Sequence, residues 1–290
     1  MPLPDFTNLP EILYSFLPRL FYFVFGGLIV WMRRNVYIYM VVKRKIVVFI
    51  TRKKYVIIWN DDSPEVSEKI INQIKQKKPG NFSYKIIKTP ETILYYPASP
   101  REVQAIIIIV TDVTKLDENQ QKRTDIEDKL IRYASAGGTL VGTHDIIYRR
   151  CRNEKLQKAF GCTLKKFKSA PEGIEVKLNP EYRGHPLLRG LKDSFRVRDN
   201  EIVTGMWDNN VHKLIITSTQ VQFEDTKLEV PILCVNSATC DGLFIWISCG
   251  DKGDEVCDSV KLPDTYFIQM LYNSIRYSKK IKRYNSTEDS

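Results

Sequence analysis

The chain has 290 residues, of which 43% are apolar, and a formal net charge of +10. This composition excludes collagen-like, low-complexity and globally disordered proteins, and the length fits one large α/β domain with or without an appendage. Residues 1–60 hold nine Lys and Arg against two Asp and Glu, whereas residues 61–290 hold 35 against 32. Residues 61–290 are thus nearly balanced in charge. Because a nucleic-acid-binding domain normally carries its own basic face, we expect no nucleic-acid partner.

The first feature along the chain is an apolar stretch over residues 12–32 with one charged residue, Arg19. About 20 such residues span a bilayer, and the basic clusters that follow, up to residue 54, favour the cytoplasmic side. We therefore predict a membrane anchor at residues 1–35, without a cleaved signal peptide, in a single-pass protein whose C-terminal domain is cytoplasmic. Pro18 lies within the stretch and leaves a second interpretation open, in which a buried or interfacial helix belongs to a soluble protein.

A basic segment at residues 36–53 follows, and its β-branched and aromatic residues favour one or two strands. In the body, at residues 54–280, strands and helices alternate. Strands are predicted at 54–61, 82–88, 104–112, 139–143, 212–219, 228–235 and 242–248, and helices at 63–78, 118–135 and 263–280. The helix at 63–78 has an apolar stripe, because its apolar positions 66, 70, 71 and 74 recur at helical spacing. The order of the first elements predicts an α/β fold with a Rossmann-like parallel sheet. The tail at 281–290 is expected to be disordered.

Polar residues stand where several of these strands end. In open parallel sheets, ligands bind outside the carboxyl ends of the strands. The residues at such ends are Asp61, Asp62, Asp112, His144 and Asp145. We predict that the four aspartates contact a ligand, although Asp62 could instead cap the following helix.

The segment Gly142-Thr143-His144-Asp145-Ile146 predicts a sharp turn from a strand into a helix with His144 at its apex. Other folds present a catalytic nucleophile at such a turn. Imidazole is a poor stable nucleophile but a good acid, base or hydrogen-bond partner. His144 is therefore a candidate catalytic residue, and the alternative is a hydrogen-bonded histidine of the core.

Three segments together resemble the ThuA-like (trehalose utilisation) family. They are "GGTLVGTHD" at 137–145, "FGCTL" at 160–164 and "RGHPLLRGLKDSFRVRDNE" at 183–201. The resemblance covers roughly residues 54–280. It implies a class I glutamine amidotransferase-like, flavodoxin-type fold, with histidine where the amidotransferases carry cysteine. It also implies a small polar ligand, with a carbohydrate derivative favoured.

The second motif of the resemblance supplies further candidates. Asp199 and Glu201 could form a general acid/base pair or could anchor a backbone turn. His185 could contact a ligand or only fix a loop, and Trp207 could stack on a sugar or base ring or pack within a loop. The chain departs from the family pattern because Asn200 interrupts the Asp-Glu pair.

These motifs are far apart in sequence, yet the resemblance implies that their family counterparts border the turn at His144. We therefore predict one pocket at the sheet's carboxyl end. Its members would be His144, His185, Asp199 and Glu201, with Asp61 and Asp62 on its rim.

The six cysteines form no C-x-x-C pair and have no histidine at zinc-ligand spacing, so we predict reduced thiols and neither a metal nor another cofactor. Cys249 at a strand end is a weak alternative nucleophile.

Three functions remain open. The first is a membrane-anchored protein that binds or processes a small molecule. The second is a catalytically degenerate sensor of a small signal, such as a nucleotide, coupled to a membrane effector helix. The third is a soluble structural or interaction protein. Gly26-Gly27 allows close packing with another helix, and hence a homo-oligomer. Whether the chain is an enzyme stays undecided at this stage.

Overall fold

The computed structural model describes residues 23–28, 30–31, 35–51, 53–60, 64–77, 82–89, 92–93, 99–109, 120–147, 154–199, 201–224, 226–237, 242–249 and 265–288. The chain divides into two compact units, Met1–Ile50 and Thr51–Ser290.

The described part of the first unit is helical. Residues 23–28 and 30–31 are helical, and helix α1 spans Val36–Thr51. The prediction of strands over 36–50 is therefore wrong. A helix pairs its own backbone N–H and C=O groups, whereas a strand needs a neighbour, and no described strand pairs with this segment.

The transmembrane helix predicted at residues 12–32 is not supported. Among the described residues, no helix combines the length and the apolar character needed to cross a bilayer. Residues 12–22, 29 and 32 of that prediction lie outside the described part of the chain.

The second unit contains thirteen described strands. In chain order they are β1 (Tyr55–Trp59), β2 (Ser83–Ile87), β3 (Val103–Ile108), β4 (Thr139–Thr143), β5 (Cys162–Ser169), β6 (Ile174–Leu178), β7 (Ser194–Val197), β8 (Glu201–Trp207), β9 (His212–Thr217), β10 (Val221–Phe223), β11 (Thr226–Leu228), β12 (Pro231–Asn236) and β13 (Leu243–Ile247). Nine of them form one sheet in the order β2-β1-β3-β4-β13-β12-β9-β6-β7. The pairs β5–β8 and β10–β11 form two separate two-stranded antiparallel sheets.

The large sheet is mixed, and this corrects the prediction of a parallel sheet. Strands β2, β1, β3, β4 and β13 are parallel, as predicted for the first half. Every pair from β13 onward, through β12, β9, β6 and β7, is antiparallel. The aliphatic residues Ile106, Ile107 and Ile108 of β3 are all at most 1% exposed, as expected for a strand covered on both faces.

Within the described ranges, four helices accompany the sheet: α2 (Pro64–Lys77), α3 (Gln120–Ser135), α4 (Glu154–Phe160) and α5 (Thr265–Glu288). The buried apolar positions of α2 are those of the predicted stripe, namely Val66, Ile70, Ile71 and Ile74. Helix α5 continues to Glu288, so residues 281–288 are not the disordered tail that we predicted.

The strand directions define two edges that matter for function. We call the edge where β4 and β13 end, at Thr143 and Ile247, the carboxyl edge. The opposite edge, where these strands begin, is the amino edge. Two antiparallel pairings separate β13 from β9, so β9 runs with β4, and β6 runs against it. The segment that follows β6 therefore lies at the amino edge, and the segment that follows β7 lies at the carboxyl edge.

Candidate functional site

His144 stands at the carboxyl edge, directly after β4, where it begins a 3₁₀ turn that spans His144–Ile147. The turn folds tightly over the end of the strand. A Cβ atom on Gly142 would lie 2.5 Å from Ile146 Cγ2 and 3.0 Å from Phe160 Cζ. Because real Cβ atoms do not approach other atoms so closely, this turn requires glycine two residues before His144.

Two tryptophans hold the backbone of this turn. The indole N–H of Trp246 on β13 donates to the carbonyl oxygen of His144 at 3.2 Å. The ring of Trp246 packs against the ring of Trp207, with centroids 5.1 Å apart. Trp207 is half-buried, so its described contacts are those of a packed aromatic residue, one of the two roles predicted for it.

The side chain of His144 meets a carboxylate. Its Nε2 atom lies 3.7 Å from Glu201 Oε2, at the start of β8. The imidazole is 2% exposed and the glutamate side chain is 31% exposed, so Glu201 is the member of the pair that solvent reaches. A separation of 3.7 Å is too long for a hydrogen bond, so the two side chains are neighbours without a direct bond. Imidazole and carboxylate are both groups that can act as acid and base.

Asp199 is buried and organises the turn before β8. Its Oδ1 atom accepts a hydrogen bond from the backbone N–H of Glu201 at 3.1 Å. This is the second of the two predicted roles, the anchoring of a backbone turn. Asp199 thereby fixes the point from which the side chain of Glu201 reaches His144.

His185 lies at the other edge of the sheet. It follows β6, so the topology places it at the amino edge, and the predicted convergence with His144 does not occur. Its Nδ1 atom accepts from the backbone N–H of Leu187 at 3.3 Å, which caps the 3₁₀ turn Pro186–Leu188. Burial, and to a lesser degree nearby His212, lowers the pKa of His185 to about 4, so the ring is neutral at neutral pH.

Four predicted ligand contacts remain predictions. Asp61, Asp62 and Asp112 lie outside the described residues. The backbone of Asp145 forms part of the 3₁₀ turn, and its side chain is outside the described set.

The carboxyl edge also carries a hydroxyl group that sequence reasoning missed. Ser248 follows β13 directly and is fully buried, and its Oγ atom has no hydrogen-bond partner within the described part of the chain. Its neighbour Cys249 is also fully buried. The signal in the sequence was the position after a buried strand, but a serine there is too common to single out.

Two of the three described thiols are poorly suited to nucleophilic chemistry. Burial raises the pKa of both Cys162 and Cys234 above the usual range of a thiol, so the reactive thiolate is suppressed. In the portion of the chain that the structure describes, no three His, Cys, Asp or Glu side chains are grouped so that they could hold a metal ion.

The chain has the fold of a ThuA-like protein of known structure. The structure of a ThuA-like protein from Parabacteroides merdae superposes with a TM-score of 0.55 at 12% identity, covering 78% of this chain and 89% of that one. A glutamine amidotransferase from Methylobacillus flagellatus superposes with a TM-score of 0.41 at 10% identity, covering 80% and 93%. No family model matches the sequence, and no curated protein matches it.

Proposed function

We propose that the second unit binds and processes a small polar ligand at the carboxyl edge, with His144 and Glu201 as the reacting pair. The observation that carries this proposal is the 3.7 Å approach of Nε2 to Oε2 at the edge where open α/β sheets bind ligands. The fold supports a ligand-binding or processing domain, and the residues at the edge supply the chemistry.

The two side chains have complementary positions. Glu201 is partly exposed and can accept a hydrogen bond from a ligand hydroxyl, while His144 lies behind it, sealed from bulk water. Carboxylate and imidazole can both act as acid and base, so Glu201 can take a proton from the ligand hydroxyl and return it, with His144 as the buried member of the pair. General acid–base catalysis of this kind is worth roughly 10² to 10⁴ in rate. A carbohydrate derivative fits because its hydroxyls are donors to such a pair.

The second candidate function, a sensor that binds without turnover, has an observation of its own. The side chain of His144 is only 2% exposed. A ligand that stays at the protein surface would contact Glu201 and would not reach the buried imidazole, which would then only support the glutamate. In that case a nucleotide or another small signal would be bound and released unchanged.

One experiment separates these two functions. The full chain is screened against sugars, sugar phosphates and nucleotides by thermal shift, and each hit is then assayed for turnover. Glu201→Gln should weaken binding of the hit by about 1–3 kcal/mol, because the carboxylate acceptor is lost. Glu175→Gln is the matched control, since Glu175 is a strand glutamate that pairs with Arg196 at 2.7 Å.

If the wild type turns over a hit and Glu201→Gln does not, the result supports the enzyme. If the wild type binds a hit without turnover, the result supports the sensor. Equal losses in Glu201→Gln and Glu175→Gln would remove the carboxyl edge from either function.

We also propose that the first unit attaches the protein to a membrane, with the second unit on the cytoplasmic side. Exposed apolar side chains occur at Phe23, Val24, Phe25, Leu28, Val30, Trp31, Ile46, Phe49 and Ile50. The last three share one stripe of α1 because they are three and four residues apart. The side chain of Phe49 is 85% exposed, and the exposed Lys43 and Lys45 on the same helix suit anionic lipid headgroups.

Flotation of the full chain with phosphatidylcholine–phosphatidylglycerol vesicles tests this attachment. We expect the chain to float, and Phe49→Ser to reduce the floated fraction. Phe167→Ser is the control, because Phe167 is a phenylalanine of the second unit that is 58% exposed. A chain that stays at the bottom of the gradient, or an equal loss in both variants, contradicts the proposal. Digestion of the second unit in inverted vesicles tests the orientation.

A further inference from the structure

A cavity of about 480 Å³ lies at the amino edge, away from His144. It is lined by the chain from Leu178 to Asp193 and by Tyr277 of α5. Its charged side chains are Arg183, Arg189 and Asp193. A cavity of this size falls within the range of small-molecule sites.

The positive charge of this cavity is not neutralised by its own carboxylate. Arg183 and Asp193 approach to 3.8 Å, and both side chains are mostly exposed, so their attraction is weak. Arg189 makes no ion pair with any carboxylate of the described residues. The neutral ring of His185 adds no charge of its own at neutral pH.

The guanidinium of Arg189 is held in place by an aromatic ring. It lies 5.7 Å from the ring centroid of Tyr277, and Arg276 lies 5.2 Å from the same centroid. A cation over an aromatic face is attracted to it, so Tyr277 restrains two positive side chains at this end of α5.

Two glycines add backbone donors to the wall. Gly184 and Gly190 line the cavity, and Gly190 has a φ of +78°, which favours glycine. Neither backbone N–H donates to an acceptor in the described ranges. No atom lies within 4 Å of the position that a Cβ on Gly184 would occupy, so the space beside that backbone is open.

The wall is also preorganised. Asn273 of α5 donates through Nδ2 to the carbonyl oxygens of Leu187 and Arg189, at 2.7 and 2.8 Å. Gln269 donates to the same oxygen of Arg189 at 3.3 Å. A site whose backbone is already fixed loses little freedom when it binds a ligand, so more of the contact energy appears as affinity.

We propose that this cavity binds a phosphate group carried by a small molecule. A guanidinium can donate two parallel hydrogen bonds to phosphate oxygens, and Arg189 is the cation best placed to do so. Arg183 and the glycine N–H groups supply further donors, and a phosphate has more acceptor oxygens than a carboxylate to receive them. The remaining volume accommodates the rest of the molecule. This site is independent of the pair His144 and Glu201.

Calorimetric titration of the full chain at constant ionic strength tests the proposal, with inorganic phosphate and glycerol 3-phosphate as the two probes. We expect saturable binding of both probes, and tighter binding of glycerol 3-phosphate. Arg189→Gln should weaken binding by about tenfold or more, and Arg183→Gln by a smaller factor. Arg196→Gln is the matched control, because Arg196 is an exposed arginine paired with Glu175 outside the cavity, and it should bind as the wild type does.

Several results would overturn the proposal. They are no saturable heat with either probe up to roughly 10 mM, or an equal loss in Arg196→Gln, which indicates diffuse electrostatics. Equal affinity for the two probes would mean that the ligand is free phosphate and not a small molecule that carries it. Melting curves of the ligand-free variants check the fold. If Arg189→Gln is unstable, Arg189→Lys replaces it, because lysine keeps the positive charge but lacks the guanidinium that donates two parallel hydrogen bonds. Binding of the probes by Arg189→Lys as tightly as by the wild type would also count against the proposal.

Glu201→Gln separates this site from the proposed function. It should leave the binding of both probes unchanged, because Glu201 is at the other edge of the sheet. Loss of probe binding in this variant would place the phosphate at the carboxyl edge and overturn the cavity as its site.

Discussion

Each edge of the large sheet buries one histidine at the start of a 3₁₀ turn, and the two histidines have different partners. Both rings are buried, but His144 faces the carboxylate of Glu201, whereas His185 accepts a hydrogen bond from the backbone N–H of Leu187. Burial and, to a lesser degree, His212 disfavour the imidazolium of His185. Two histidines with the same burial therefore differ in what they can do, because a side chain that solvent reaches lies beside one ring and a backbone turn beside the other.

The pH dependence of stability gives the largest expected effect at the amino edge. The pKa of His185 is lowered to about 4 from an ordinary value of 6.5. Between these two pH values the unfolded chain therefore binds a proton that the folded chain does not bind. His185 is therefore without effect above pH 6.5, and it destabilises the fold increasingly as the pH falls from 6.5 to 4. The loss amounts to roughly 3 kcal/mol at pH 4.

His185→Asn isolates this contribution. Asparagine keeps a side-chain acceptor that can cap the turn but does not titrate. Urea unfolding of both proteins at pH 7 and pH 4 measures the difference. We expect the wild type to lose more stability than the variant between these two pH values, and parallel losses would contradict the lowered pKa.

Substitution of the glycine that shapes the turn at the carboxyl edge has the next largest effect. Gly142→Ala places a Cβ 2.5 Å from Ile146, and we expect a loss of about 2 kcal/mol in the free energy of unfolding. Gly184→Ala at the amino edge is the control, because no atom lies within 4 Å of its Cβ position. Thermal melts compare the two variants, and similar melting temperatures would mean that the turn at His144 is not tightly packed.

The smallest effect concerns the residue that positions Glu201. Asp199→Ala removes the acceptor for the Glu201 N–H and should cost about 1 kcal/mol of stability. Asp199→Asn keeps an acceptor oxygen and should restore most of that loss. If the turn positions Glu201, the affinity for a ligand found in the thermal-shift screen should follow the same order. Asp199→Asn should then bind that ligand more tightly than Asp199→Ala. Affinity that is equal in both variants would limit Asp199 to a structural role.

Much of the parallel half of the fold could be predicted from the sequence. The bounds of β4 match the predicted 139–143, and α2 buries the predicted stripe. These elements are signalled locally, by an unbroken aliphatic run or by apolar residues at helical spacing. The antiparallel half was less predictable, because short segments such as β6 and β7 become strands through hydrogen bonds to the strands beside them and have no strong local pattern.

Helix α1 is the clearest failure of local reasoning. Its β-branched and aromatic residues have strand propensity, yet it is a helix with an exposed apolar stripe. Residues with strand propensity form a strand only where a neighbouring strand pairs with their backbone hydrogen-bonding groups.

Local sequence patterns are enough to predict the α/β class of the second unit, the strand that leads into His144, and the types of side chain available for a site. Which of those side chains lie close together depends on how the distant strands pair. Glu201 follows His144 by 57 positions and comes within 3.7 Å of it, while His185, which is nearer in sequence, is carried to the opposite edge. The physical reason is strand direction: each antiparallel pairing reverses the chain, so the number of reversals between two residues decides which edge they share. That number depends on hydrogen bonds between distant strands, which no local pattern specifies.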